Sequence, residues 1–516
     1  MMKRSVLLTF VCILFANLSA QVHWNLSDKS NGILLDLPNL KQAYSDHIEM
    51  SGEQMSFVLR WNVTEDKAFM AERSLVFPML RTIPNNTHAS LMQRVKTDIP
   101  SLISVNGLHL QREQVVDLEI DGSLRVVSTF AVGKANVGLG AGKVMLPTLQ
   151  MERIIYPSPT KPVMCELYNV KNISKKPITV LVPEFSQNFT TRPEKGVDGS
   201  YIIRAEILNP TTKVLQPGEE LDFSAVFQAY RSTEQKAVVD PVEELNHRRG
   251  FLKNIDENLV LDTPDDVIDR EFRFAKIRAS ESIFKTKGGY MHAPGGESYY
   301  AAIWANDQAE YVNPFFPFLG YEVGNESALN SFKIFARFMN DEFKPIPSSI
   351  IAEGTDIWNG AGDRGDAAMI AYGASRYVLA KGDKKAAKEL WPLIEWCLEY
   401  CKKNLNSEGV VLSDTDELEG RFPAGEANLC TSSLYYDALL SASYICKELG
   451  ITLENVCFVG DDVNDLDLLQ HAGVAACPAN AVAVVKAVPG IIHLTKNGGD
   501  GAIRELCEMI LEAKKA

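Results

Sequence analysis

The sequence predicts a multidomain protein with three consecutive parts: an antiparallel β-sandwich, a helical segment and a short α/β segment. Hydrophobic residues alternate with a period of two up to about residue 240, follow a period of 3.6 after it, and form short apolar strands alternating with helices from residue 451. The chain has 516 residues, of which 46% are hydrophobic, and this excludes a disordered or low-complexity protein. The predicted domains are 21–240, 241–449 and 451–516, after a leader at 1–20.

Charge and hydropathy limit the classes of partner that the chain is expected to bind. The formal net charge is −14, from 52 basic and 66 acidic residues, so nonspecific binding to nucleic acid or to an anionic membrane is not expected. Lys3 and Arg4 precede an apolar run from Val6 to Phe15, which is typical of a signal peptide. We therefore expect a periplasmic or secreted protein. No later apolar run approaches the ~20 residues that span a bilayer.

Alternation is clearest in the segment 221–229, where Leu, Phe, Ala, Phe and Ala alternate with other side chains. Turn signals such as Asp121-Gly122 and Gln216-Pro217-Gly218 separate similar segments. The pattern indicates an antiparallel β-sandwich without a catalytic group of residues. Its strands are predicted at 56–62, 124–131, 178–182, 201–208 and 221–229.

Helical spacing begins after Pro241. Thr263 is predicted to cap a helix that has Pro264 at its first position and apolar residues from Ile268 to Ile283. About six helices are expected, and the long loops between them are rich in Trp, Asp, Glu, Gly and Arg. The others are predicted at 326–343, 366–380, 384–404 and 431–449, with one more beginning near Trp304.

Three of these loops, 299–308, 353–366 and 413–422, combine carboxylates with aromatic residues or glycine. Proteins bind sugars through aromatic faces and carboxylates, and glycoside hydrolysis needs one protonated carboxyl and a second carboxylate. For Asp366, which opens a helix, a capping role is favoured. The candidate sugar-binding residues are Trp304, Asp307, Asp356, Trp358, Asp363 and Arg364.

Residues 21–449 resemble the six-hairpin glycosidases, such as bacterial glucoamylase-like and debranching-enzyme-like proteins. The resemblance rests on the domain order, on Trp304-Ala305-Asn306-Asp307, where glucoamylases carry Trp-x-Arg-Asp, and on Gly365-Asp366-Ala367-Ala368 at a helix entry. It implies an (α/α)6 barrel that is incomplete, because six helices are half of twelve. The general acid of the family lies between the fifth and sixth helices, which implies Glu417 or Glu419. The catalytic base would belong to the missing half.

The most distinctive local motif is Gly460-Asp461-Asp462-Val463-Asn464-Asp465, directly after a buried strand. Carboxylates at the carboxyl edge of a parallel sheet suit Mg²⁺. With the glycine-rich run 497–501, the segment 451–516 resembles haloacid-dehalogenase-type phosphatases, in the group acting on 3-deoxy-manno-octulosonate 8-phosphate or attached to acylneuraminate cytidylyltransferases. The resemblance implies a partial Rossmann-like unit with Asp461 as the Mg²⁺ ligand, Asp465 in support, and homo-oligomers formed through this segment.

The nucleophile that those phosphatases need is missing. The run Asp414-Thr415-Asp416 has the right spacing, but it lies only 47 residues before Asp461, too close to hold the intervening elements. Three functions therefore compete: an exported carbohydrate hydrolase acting on oligosaccharides, a Mg²⁺-dependent sugar-phosphate phosphatase, and an inert chimera. The chimera would be joined within 446–450, and its half-barrel would leave apolar helix faces uncovered.

Overall fold

The structure is a computed structural model, and it describes residues 23–132, 147–300, 302–351, 357–422, 425–450 and 452–515. Within these residues the chain is multidomain, with a β-rich N-terminal region, a helical middle and a C-terminal α/β unit. The predicted leader lies outside the described residues. The predicted domain boundaries remain predictions.

The N-terminal region is built from antiparallel strands in three sheets. A nine-stranded sheet has the order β1-β2-β9-β10-β11-β12-β17-β15-β14, and the four-stranded sheets have the orders β3-β4-β5-β6 and β16-β13-β7-β8. The elements are β1 Trp24–Leu26, β2 Ile33–Leu35, β3 Tyr44–Gly52, β4 Met55–Val63, β5 Phe69–Arg81, β6 Ser90–Val95, α1 Ile99–Leu102, β7 Ser104–Val105, β8 Leu108–His109, β9 Gln111–Ile120, β10 Leu124–Ala131, β11 Pro147–Pro157, β12 Val163–Asn172, β13 Ile178–Val182, β14 Ser186–Thr190, β15 Tyr201–Leu208, β16 Thr211–Leu215 and β17 Glu220–Arg231.

The sheets enclose one hydrophobic core, to which strands from β2 to β17 contribute. Strands β10, β13 and β15 have the bounds that alternation predicts. The middle of β17 is buried on both faces, since Val226 packs with Leu245 of the following helix on one side while Phe227 joins the main core on the other.

The helical middle contains six helices of 15 to 20 residues and one short helix among the described residues. None of the helices in these parts of the chain is long and apolar enough to cross a membrane. Arg248, buried in the first of them, donates to the carbonyl of Gly122 and so ties the helices to the sandwich. The elements are α2 Pro241–Glu257, α3 Asp266–Glu281, β18 Ile283–Thr286, β19 Gly289–His292, β20 Ala302–Trp304, a π-helix Asp307–Val312, α4 Phe316–Leu319, α5 Glu322–Ala336, β21 Ser349–Ile351, β22 Ile357–Trp358, α6 Asp366–Lys381, α7 Lys384–Lys403 and α8 Leu429–Glu448.

Several predicted helix ends are wrong. Asp265, not Thr263, caps α3, because its side chain accepts the backbone N–H of Val267. Ile283 belongs to strand β18 rather than to that helix. The helix expected near Trp304 is instead a strand followed by the π-helix, and the helix predicted at 326–343 begins four residues earlier and ends at Ala336.

The C-terminal unit is a three-stranded parallel sheet with the order β23-β24-β25, as the alternation of strands and helices predicts. Apolar side chains pack on both faces of the sheet. Each strand is only two to four residues long. The elements are β23 Cys457–Val459, α9 Leu466–His471, β24 Val474–Cys477, α10 Ala483–Lys486, β25 Ile492–His493 and α11 Ala502–Ala513, with 3-10 turns at Leu453–Asn455 and Val463–Asp465.

Candidate functional site

A small antiparallel sheet brings two of the predicted sugar-binding residues together. Trp304 of β20 pairs with Ser349 of β21, which in turn pairs with Trp358 of β22. Directly paired residues share one face of a sheet, so both indoles lie on the same side. The Ser349 hydroxyl between them is buried without a hydrogen-bond partner among the described residues. The predicted Asp356 lies outside the described residues.

Asp363 connects two of the carboxylate-rich loops. Its Oδ2 accepts the Tyr400 hydroxyl at 2.5 Å, and its Oδ1 accepts the backbone N–H of Gly365 at 2.8 Å. The backbone N–H groups of Asp414 and Thr415 donate to its carbonyl. Only 6% of Asp363 is exposed; its carboxylate fixes its own loop against Tyr400 of α7, its backbone carbonyl joins the two loops, and its predicted contact with sugar remains untested. Asp414 also serves this connection, as expected if it belongs to the sugar loop.

Arg364 lies among five acidic residues, which we call the acidic cluster: Asp307, Glu310, Asp366, Glu417 and Glu419. Its guanidinium donates to Asp366 Oδ1 at 2.9 Å and to Glu419 Oε1 at 3.1 Å, and its side chain is 1% exposed. Asp366 does not cap α6, because Gly365 occupies the cap position with φ of 86°. The Asp366 carboxylate instead accepts the Ser348 hydroxyl at 2.9 Å. Arg364, predicted to bind sugar, thus pairs with two carboxylates of the protein.

The π-helix Asp307–Val312 carries the acidic residue that the sequence analysis missed, Glu310. π-Helical turns are rare and occur frequently at functional sites. Burial raises the pKa of Glu310 to about 7, and the nearby charge of Glu417 adds to the rise. Burial also raises the pKa of Asp307, against the opposing effects of a backbone hydrogen bond and of Arg364. The spacing of Asp307 and Glu310, three residues apart on one helical turn, is the signal that could have identified it.

Three oxygen atoms in this cluster are buried without a hydrogen-bond partner among the described residues: Glu310 Oε1, Glu417 Oε2 and Asn306 Oδ1. Such atoms are costly in a folded protein and call for an explanation such as a ligand or a catalytic role. Glu419 differs from Glu417, because it is ion-paired with Arg364 and, at 3.5 Å, with Arg421. The cluster therefore combines carboxyl oxygens without hydrogen-bond partners and a carboxylate that is paired with two arginines.

The predicted metal ligands lie on the separate C-terminal sheet. The Asp465 carboxylate accepts the backbone N–H groups of Asp461 and Asp462 at 2.9 and 3.3 Å, which closes the turn after β23. Asp461 is exposed. In the described parts of the chain, no three His, Cys, Asp or Glu side chains are grouped to hold a metal ion. These residues alone do not fit a Mg²⁺ ion, since one of the two predicted ligands is engaged by the backbone.

Comparison with known proteins gives two separate likenesses. Residues 440–506 match the haloacid dehalogenase-like hydrolase family. Over 77 residues the chain is 34% identical to the 3-deoxy-D-manno-octulosonate 8-phosphate phosphatase KdsC of Escherichia coli K12 and to that of Salmonella typhi. Over 70 residues it is 36% identical to the Haemophilus influenzae enzyme. These matches take in 14–15% of this chain and 38–40% of each relative.

The chain also has structural likenesses to two solved proteins. One is a putative kojibiose phosphorylase from the human microbiome, with a TM-score of 0.49, 9% identity and coverage of 84% of this chain and 69% of that chain. Another is a bacterial glucoamylase complexed with acarbose, with a TM-score of 0.38, 9% identity and coverage of 80% and 67%. Both resemblances identified in the sequence thus recur in these comparisons.

Proposed function

We propose that the helical middle holds a glycosidase-type site that protonates the linkage of an oligosaccharide. The observation that carries the proposal is the pair Glu310 and Glu417, whose buried oxygens have no hydrogen-bond partner among the described residues. Two tryptophans on one sheet face lie on neighbouring segments of the chain, and apolar faces beside carboxyl groups suit neutral sugars. The substrate class is therefore an oligosaccharide rather than an ion.

Glu310 is the proposed carrier of the proton. Burial and the nearby charge of Glu417 raise its pKa to about 7, so Glu310 retains a proton below that pH. That proton passes to the glycosidic oxygen as the bond to the anomeric carbon breaks, and a water molecule then bonds to the anomeric carbon and returns its extra proton to the carboxylate. The Glu419 carboxylate, ion-paired with Arg364, faces the positive charge that develops on the sugar ring. Of the two acids implied by the family resemblance, Glu417 is therefore proposed to act with Glu310 in proton donation and Glu419 to stabilise the developing charge.

The test is release of reducing sugar from α-1,4- and α-1,6-linked gluco-oligosaccharides by the full chain. Replacement of Glu417 by Gln should abolish release, whereas Glu408→Gln, at an exposed position in a neighbouring turn, should leave it unchanged. Wild-type protein that releases no sugar, or a Glu417→Gln variant that retains full activity, would reject the proposal.

We further propose that the helical barrel is incomplete. Four large side chains of α8 are exposed: Tyr436, Leu439, Leu440 and Tyr444, at 64%, 42%, 44% and 60%. Leu439 and Leu440 follow Tyr436 by three and four residues, and Tyr444 follows Leu440 by four, so all four lie on one helix face. A second half of the barrel would be expected to cover such a face.

If this face of α8 is uncovered, the protein should bind an apolar dye. The double variant Leu440→Lys and Tyr444→Lys should bind less anilinonaphthalene sulfonate, measured by its fluorescence, and should self-associate less, because the lysines place charge on the apolar patch. Stability to urea should change by no more than about 0.5 kcal/mol, as for other surface substitutions. Val116→Lys, at a single exposed position on β9, is the matched control. Unchanged dye binding in the double variant would contradict the uncovered face.

The second candidate function is a sugar-phosphate phosphatase, which the family match of residues 440–506 favours. The geometry opposes it, since Asp465 is engaged by backbone N–H groups and, among the described residues, Asp461 belongs to no group of three His, Cys, Asp or Glu side chains that could hold a metal ion. We expect the full chain to release no phosphate from 3-deoxy-manno-octulosonate 8-phosphate with Mg²⁺ above the level of Asp461→Asn. Mg²⁺-dependent release that is lost in this variant would instead establish the phosphatase.

We propose that the two parts were joined within α8. The family match begins at residue 440, inside Leu429–Glu448, although the buried face of the same helix, including Ala438 and Ile445, belongs to the core of the helical middle. The same helix thus belongs both to the core of the helical middle and to the segment that matches the phosphatase family. This overlap supports a junction at or before the predicted 446–450. Sequencing the source DNA across codons 430–460 tests this junction. An unbroken reading frame would show that the junction is real, whereas an interrupted reading frame there would show that the parts come from separate proteins.

A further inference from the structure

An aromatic row crosses from the β-sandwich to the candidate sugar site. The ring of Tyr299 lies 5.5 Å from that of Trp304, at 81°, and 4.9 Å from that of His88, which belongs to the loop between β5 and β6. Tyr299 is 44% exposed, and His88 is exposed as well. The row therefore continues the tryptophan face of β20 and β22 outward, onto a surface that solvent reaches.

The turn that presents Tyr299 is held firmly by the sandwich. Arg60 of β4 donates two hydrogen bonds to Glu297, at 2.6 and 2.7 Å, and these lower the pKa of Glu297 to about 2. The hydroxyl of Tyr300 donates to Glu49 of β3 at 2.7 Å. Gly295 has a φ of 90°, a left-handed conformation that glycine adopts without strain, and a Cβ there would lie 2.6 Å from a Glu49 oxygen. The two strands thus fix Tyr299 in place before any ligand arrives.

A pre-positioned, half-exposed tyrosine is suited to a neutral ring. Aromatic side chains combine a large apolar face with a polar end, and little conformational entropy is lost when such a fixed ring binds a ligand. We propose that Tyr299 and His88 form an additional sugar subsite, which takes a further ring of the oligosaccharide beyond the ring at Trp304. The inference rests on the proposed function, and it gives the β-sandwich a direct part in substrate recognition.

The test is the chain-length dependence of binding to the full chain, measured by calorimetry with α-1,4- and α-1,6-linked gluco-oligosaccharides of two, four and six rings. Tyr299→Ala should weaken binding of the longer ligands by about three- to tenfold, the range for a lost aromatic contact, and leave the two-ring ligand unchanged. Tyr299→Phe should retain binding, and His88→Ala should cause a smaller loss with the same length dependence. Tyr444→Ala, at an exposed tyrosine on α8, is the control.

The outcomes separate this subsite from the proposed function. If wild-type protein binds the longer ligands and Tyr299→Ala binds them equally well, or loses all lengths alike, the subsite is rejected while the function stands. If wild-type protein binds none of these oligosaccharides, both the subsite and the proposed function are overturned. Thermal unfolding of each variant verifies that the turn has not lost its structure.

Discussion

Replacing Glu310 with Gln should lower kcat/KM for oligosaccharide hydrolysis by about 10²- to 10⁴-fold, the usual contribution of a general acid or base. Glutamine keeps the size of the side chain but cannot carry the proton that Glu310 holds below about pH 7. The measurement is the initial rate of reducing-sugar release by the full chain at pH 6. Full activity of this variant would remove Glu310 from the site.

The loss of activity in the Glu310→Gln variant would not arise from unfolding. The raised pKa of Glu310 shows that the fold disfavours its charged form, so removing that charge should leave the protein at least as stable at pH 8 as the wild type. Urea unfolding verifies this point. Glu342→Gln, at a position where 68% of the side chain is exposed, should change neither activity nor stability.

Replacing Arg364 with Leu should lower the free energy of unfolding by about 3–5 kcal/mol, the cost of breaking a buried ion pair by removing one partner. The substitution leaves Asp366, which is 1% exposed, without its charged partner, and it frees Glu419 from its fixed position. Urea denaturation of the full chain, followed by far-ultraviolet circular dichroism, measures the change.

Two further variants isolate the cause. Arg376→Leu removes an ion pair to Asp437 on the surface of α6, where the arginine side chain is 48% exposed, and should cost at most about 1 kcal/mol. Adding Asp366→Asn and Glu419→Gln to Arg364→Leu should recover part of the lost stability, because it removes the unpaired charges. If both arginine variants lost the same stability, Arg364 would have no special role in the cluster.

The periodic spacing of hydrophobic residues alone predicted much of the fold. Strong alternation over 124–131 and 201–208 gave strands with the observed bounds, and the long helices at α6 and α7 were predicted to within one residue at each end. The short strands of the helical middle were missed for a physical reason. Strands of two to four residues, such as β20 and β22, contain too few positions to show a period, and their pairing is decided by tertiary contacts.

The candidate site was predicted only in part. Aromatic and acidic loop residues pointed to Trp304 and Trp358, whose pairing across β21 the structure shows. Glu310 was missed because a helix was expected to begin near Trp304, whereas the residues fold as a π-helix. Asp363 was predicted to bind sugar because it is acidic. Its burial against Tyr400 depends on how α7 packs, and sequence spacing does not report this.

The pH dependence of kcat/KM for oligosaccharide hydrolysis tests the central claim most directly, namely that a proton held by Glu310 is delivered to the sugar linkage. The pKa of Glu310 is raised to about 7, so Glu310 keeps its proton below that pH and loses it above. We predict that kcat/KM is high between about pH 5 and 6 and falls tenfold per pH unit above about pH 7, once the proton has left. A rate that stays constant or rises from pH 6 to pH 9 would contradict the account.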